Sequence, residues 1–208
     1  IFVIGFISRY RYAGRVSAAE TVTILSPGST IIDSFRKKRK TLPELLGISL
    51  QGWSGRLRQA LRGYILFFPI LLVLIIISLV GIDILGIPYQ PHPLVQPLLE
   101  AGDNSLLWAL FAVGILLGPP AEELFFRGVL FPALKGRLNV SWSVIISALL
   151  FASLHQNWAG FLPIFGLGIL LAYSYQKTGS LLVPIFIHVI HNGLFLTFTV
   201  LVFQLTGP

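Results

Sequence analysis

Between Ser105 and Phe131 the chain is apolar except for three ionisable residues, Glu122, Glu123 and Arg127. They sit in the stretch Pro119-Pro120-Ala121-Glu122-Glu123-Leu124-Phe125-Phe126-Arg127-Gly128. A run of that length reads as a membrane-spanning helix. Charge inside one costs from about 2.5 kcal/mol upward per residue, so it is normally retained for function. On a helix Glu123 and Arg127 are four apart, share a face and can form an ion pair. Glu122 lies about 100° round from Glu123 and is the poorer partner. One acid is therefore expected to be structural and the other free. An all-structural ion cluster joining helices is the plainer alternative, but two buried carboxylates need more than one guanidinium to neutralise them.

The surroundings support the membrane reading. The chain is 55% hydrophobic and only 11% charged, against about 25% charge in a typical soluble domain. Cysteine is absent, which excludes a disulfide framework, a thiol nucleophile and a Cys-based metal site. The net charge of +7 is unevenly placed: residues 1–63 hold eleven Lys/Arg and three acids, whereas the remainder holds four and five. No base-reading motif accompanies this charge, so no nucleic-acid partner is expected. A basic segment beside a span reads as cytoplasmic and drawn to anionic lipid headgroups.

The expected organisation is a basic membrane-surface segment, 1–62, followed by a transmembrane domain, 63–208. Within the first part, Thr21–Leu25 is a short β-prone run, Ser26-Pro27-Gly28-Ser29 a turn, and Thr41 with Glu44 a helix start. The apolar beginning Ile1-Phe2-Val3-Ile4, without Met, suggests a clipped, processed or engineered start, with further helices expected before it. Five spans are expected: Gly63–Ile87, Ser105–Leu134, Ser141–His155, Phe161–Gln176 and Leu181–Leu205. The loop Pro88–Asp103 holds no Lys or Arg and falls on the non-cytoplasmic side; its His92 reads as a loop residue. Lys135, Arg137 and Lys177 then fall on the cytoplasmic side with the basic segment. Pro119-Pro120 must kink or break the second span. The fold class is thus an all-α polytopic transmembrane helix bundle of about five or more spans.

Polar side chains recur in the later spans. Phe151 and His155 share one helix face, and so do His188 and Asn192, with His191 three residues on from His188. A lone His in an apolar helix is more often a hydrogen-bonded packing residue than a catalyst, but three with an Asn and a carboxylate pair shift that balance. At about 1.5 Å rise per residue, Glu122 lies roughly 20 Å from Lys135, and His155 as far from Ser141. His188 and Asn192 lie roughly 13 and 20 Å from Gly179. All four reach a similar depth near mid-bilayer and can meet in one pocket.

In this order on successive hydrophobic helices, Glu122-Glu123-x-x-x-Arg127, Phe151-x-x-x-His155 and His188-x-x-x-Asn192 resemble the three motifs of the CAAX-protease and bacteriocin-processing (CPBP) family. It is also called the type II CAAX prenyl endopeptidase or abortive-infection family of glutamate intramembrane proteases. The resemblance covers about residues 105–205. It implies a multi-pass hydrolase of a prokaryotic plasma membrane that cleaves a peptide bond in a membrane-associated substrate, either a prenylated CAAX-type protein or one linked to bacteriocins. It further implies that Glu122 acts as general base on a water held with His155, while His188 and Asn192 donate to the oxyanion. Glu123 and Arg127 would fix the helix, and Phe151 would pack the His155 helix. His191 is off the pattern and reads as supporting. No cofactor is implied.

Two rivals use the same residues. Glu122, His155 and His188 form a two-His, one-carboxylate set that can hold Zn²⁺ with an open water position, as in a zinc-dependent membrane metalloprotease. Intramembrane Glu/His chains also relay protons in transporters, and a non-catalytic scaffold is the blandest version of that reading. The inverted repeat of many transporters is not evident, and no Gly-x-Ser-x-Gly elbow supports a serine hydrolase.

Overall fold

The computed structural model describes residues 51–87 and 104–206. The expected strand, turn and helix start of residues 21–46, most of the basic segment, and the loop containing His92 lie outside the described residues.

Among the described residues the structure is all-helical. Helix α1 is Trp53–Ile84. It starts before the expected Gly63 and takes in Arg56, Arg58 and Arg62, because arginine is a good helix former whose long stem can carry its charge out of the apolar layer. Its buried residues Ala60, Tyr64, Phe67, Leu71 and Ser78 recur at helical spacing on one stripe. The opposite face carries Ile65, Leu66, Ile76 and Val80, all exposed, as lipid contact requires.

The second rod, α2, runs from Asn104 to Lys135 and is not a uniform helix. Ala112–Leu117 and Phe126–Leu130 are π-helical, separated by the α-helical Gly118–Phe125 and followed by Phe131–Lys135. Each π segment ends just before a proline, Pro119-Pro120 in one case and Pro132 in the other. Proline supplies no N–H and displaces the carbonyl of the preceding turn, so the rod absorbs the mismatch by widening. The expected kink therefore takes the form of a change in hydrogen-bond register.

Helix α3, Val140–Leu154, starts at Asn139, whose Oδ1 accepts the Trp142 N–H at 3.0 Å. Helix α4 is Phe161–Thr178 and stops at Gly179, whose φ of 62° is the left-handed cap that glycine allows. Helix α5 is Leu182–Thr206. Among the described residues, three helical stretches are long and apolar enough to cross a membrane: Trp53–Ile84, Trp108–Lys135 and Leu182–Val202. With 15 residues, α3 spans only about 22 Å, short of a hydrocarbon layer about 30 Å thick. Its C-terminal end, and His155 with it, therefore stops at depth. The polar turn that follows is tied down there: Ser78 Oγ donates to the Ala159 carbonyl at 2.6 Å, and Gly160 N–H to Asn157 Oδ1 at 2.8 Å.

The core joins α1 to α4 and α5 through Phe67, Leu71, Leu167, Leu171, Val183 and Ile187, with Phe126 and Phe151 completing it. Small residues bring the rods close, as is common in membranes where lipid competes for every apolar surface. At Gly168 a Cβ would stand 3.0 Å from both Cα and Cβ of Ala148. That close approach fixes α4 against α3 and presents the Gly168 carbonyl to its neighbours.

Candidate active site

The proline pair determines one wall of the site. Gly118 N–H donates five residues back, to the Val113 carbonyl. In the same register the Gly114 carbonyl would take its hydrogen from residue 119, and Pro119 has none. The Gly114 oxygen is left without a donor from its own helix, and Asn192 Nδ2 on α5 donates to it at 2.8 Å. A carboxamide nitrogen carries two hydrogens, so one anchors the side chain while the other remains to donate.

Beneath this lies a dry ion network. Glu123 and Arg127, both 0% exposed, pair at 2.7 Å, as their four-residue spacing predicts. Arg127 Nη2 donates to the Gly168 carbonyl at 3.0 Å, and its guanidinium lies 4.8 Å from the centre of the Phe151 ring. The same Glu123 oxygen takes a second hydrogen bond, from His188 Nδ1 at 3.0 Å. Residue spacing holds no sign of this contact, which makes Glu123 the group that orients His188. An ionised carboxylate only accepts, so Nδ1 carries a hydrogen.

His155 caps α3, and its Nδ1 lies 2.7 Å from the Phe151 carbonyl. A carbonyl cannot donate, so here too Nδ1 holds the hydrogen and Nε2 is the working end. Both working ends approach one atom, Glu122 Oε2, which lies 3.9 Å from His155 Nε2 and 3.8 Å from His188 Nε2. That oxygen is buried and has no hydrogen-bond partner among the described residues. The Glu122 side chain as a whole is 38% exposed, against 0% for Glu123. The fully buried Phe151 ring supports both imidazoles, meeting His188 edge-on at 5.5 Å and His155 at 4.6 Å between centres. It thus does more than pack the His155 helix.

Next to the imidazoles is a cavity of about 300 Å³ whose wall carries His155, His188, His191 and Asn192 together with apolar side chains of α1, α4 and α5. Glu122 is not part of that wall; it meets the site through the two Nε2 atoms. His191 is held by α1, with Tyr64 Oη 3.2 Å from its Nδ1, and lies parallel to the Phe195 ring at 6.5 Å. Among the described residues no three His, Asp or Glu side chains are grouped to hold a metal ion.

Residues 104–194 match the family model described as type II CAAX prenyl endopeptidase Rce1-like. The chain is 32% identical over 156 residues to the membrane-embedded CAAX protease MroQ of Staphylococcus aureus (strain USA300), an alignment covering 72% of this chain and 58% of that protein. It is 31% identical over 83 residues to the putative membrane peptidase YdiL of Bacillus subtilis (strain 168), covering 40% of this chain and 34% of that one. The chain thus spans little more than half the length of the first relative and about a third of the second. No solved structure matches it. Through residues 104–194, which hold the carboxylate pair, all three motifs and both π segments, this integral membrane protein belongs to the type II CAAX prenyl endopeptidase (CPBP) family.

Proposed function

We propose that the chain is an intramembrane endopeptidase of the glutamate type, with Glu122, His155, His188 and Asn192 as its catalytic residues. The observation that carries this reading is the approach of two imidazole Nε2 atoms to one unpartnered carboxylate oxygen. A water about 2.8 Å from both Glu122 Oε2 and His155 Nε2, a normal hydrogen-bond length, would subtend roughly a right angle between them. It can give one hydrogen to each and keep its lone pairs for the scissile carbonyl carbon. As the C–O bond forms, Glu122 takes the proton and later passes it to the leaving amine when the C–N bond breaks. His188, already donating from Nδ1 to Glu123, donates to the oxyanion from Nε2 when the ring carries both hydrogens. In that state Glu122 and Glu123 balance Arg127 and His188. Asn192 supplies the second donor from the hydrogen not held by Gly114.

Zinc would use the same three side chains, but tetrahedral bonds of about 2.0–2.1 Å place ligand atoms roughly 3.3 Å apart. The observed 3.8 and 3.9 Å separations suit a water better. Cleavage that persists in a strong chelator, with no metal in the purified protein, is the expected result. The substrate class proposed is a membrane-associated peptide, prenylated or bacteriocin-related, processed at the plasma membrane of a prokaryote with the basic segment in the cytoplasm. The deciding experiment incubates the purified chain and its Glu122→Ala variant with a prenylated tetrapeptide-tail substrate and an unprenylated control. Equal cleavage by both proteins removes Glu122 from catalysis. Cleavage of the prenylated form alone by the parent supports the narrower substrate class.

A further inference from the structure

At the end of the bundle that carries Arg56, Arg62 and Lys177, a groove of about 790 Å³ runs between α1, α4 and α5. Every helix lining it changes character in the same direction. Along α1, Arg56, Gln59 and Arg62 give way to Leu66, Phe67 and Ile70. Along α4, read back from its C-terminal end, Thr178, Lys177 and Ser174 give way to Leu170. Ser180, just before α5, gives way to Val183 and Ile187. No acid lines the groove among the described residues. At about 1.5 Å per residue the stretch from Arg56 to Arg62 covers about 9 Å of α1, and the apolar stretch on to Ile70 about 12 Å more.

The polar end is firmly built. Thr178 Oγ1 donates to the Ser174 carbonyl at 2.7 Å and accepts the Ser180 N–H at 3.3 Å, and Lys177 Nζ lies 5.8 Å from the Tyr173 ring centre. The N-terminus of α5 adds a positive dipole end there. The apolar end is open, with Leu66 77% and Ile70 55% exposed, above a floor closed by Phe67. A compact anion would use only the first half of this surface and an apolar helix only the second. A molecule with an anionic head and a hydrocarbon tail uses both.

We infer that this groove binds one anionic glycerophospholipid, its phosphate among Arg56, Arg62 and Lys177 and one acyl chain along Leu66 and Ile70. A zwitterionic lipid is disfavoured there because its ammonium would face three cations. The inference is independent of peptide cleavage and is tested without it. The full chain in neutral detergent is titrated with phosphatidylglycerol, phosphatidylcholine or inorganic phosphate, with native mass spectrometry counting bound lipid and thermal unfolding read in parallel. Phosphatidylglycerol is expected to give a discrete one-lipid adduct and a higher unfolding temperature, and the other two probes neither. The double variant Arg62→Gln/Lys177→Gln loses roughly tenfold or more in phosphatidylglycerol affinity, while Arg58→Gln/Arg137→Gln, which removes the same charge outside the groove, stays within about twofold. Arg62→Lys/Lys177→Arg retains binding, which separates lost charge from lost fold. Equal adducts with phosphatidylcholine, displacement by inorganic phosphate, or equal losses in the two charge-removing variants would overturn the inference.

Discussion

Glu122 and Glu123 are separated by one peptide bond and share a helix, yet their surroundings are opposite. Glu123 is sealed at 0% exposure and receives both Arg127 and His188. Glu122 is 38% exposed overall, yet the oxygen it turns inward has two imidazoles just beyond hydrogen-bonding reach. The difference shows how a membrane protein can keep two acids for two purposes. The acid that is covered and neutralised holds the architecture, and the acid whose inner oxygen is left short of a partner keeps the room that the proposed reaction needs.

The sharpest way to break this comparison is Glu122→Gln, which is expected to lower kcat/KM for peptide cleavage by about 10² to 10⁴ with the unfolding temperature unchanged. Loss of fold instead would make Glu122 a second Glu123. Arg127→Ala tests the other side. It strands Glu123 in a dry interior, so unfolding in detergent should show a loss of about 3–5 kcal/mol, as for other broken buried pairs. Asn192→Ala should cost about 10² to 10³ in kcat through the lost oxyanion donor, with a smaller effect on KM. Gly168→Ala pushes a methyl against Ala148 and moves the carbonyl that Arg127 uses; a destabilisation of about 1–3 kcal/mol is expected. The smallest effect is Tyr64→Phe, which removes the hydroxyl from His191 and should cost about 0.5–1.5 kcal/mol in thermal unfolding.

What the sequence disclosed follows from periodicity and length. The Glu123–Arg127 pair needs only a four-residue spacing, and the common depth of Glu122, His155, His188 and Asn192 needs only the rise per residue. The bounds of α3, α4 and α5 came within a few residues because Asn139, Gly160 and Gly179 punctuate them. Contacts that depend on how one rod is rotated against another were hidden. Nothing in the spacing says that Glu123 meets His188 Nδ1, that Arg127 reaches the Gly168 carbonyl, or that Tyr64 meets His191. The Asn192 anchor was hidden too: in an α-helical register Pro119 orphans the Ile115 carbonyl, and only the π turn shifts the gap to Gly114.

That orphaned carbonyl carries a lesson for anyone improving the protein. Pro119→Ala would return an N–H to the rod, mend the ladder and, judged by helix propensity alone, count as a repair. The restored N–H would compete for the Gly114 oxygen and release the carboxamide of Asn192 to swing. The irregular turn works as a latch for a neighbouring helix, so straightening it would give up the hold on Asn192 for a tidier rod.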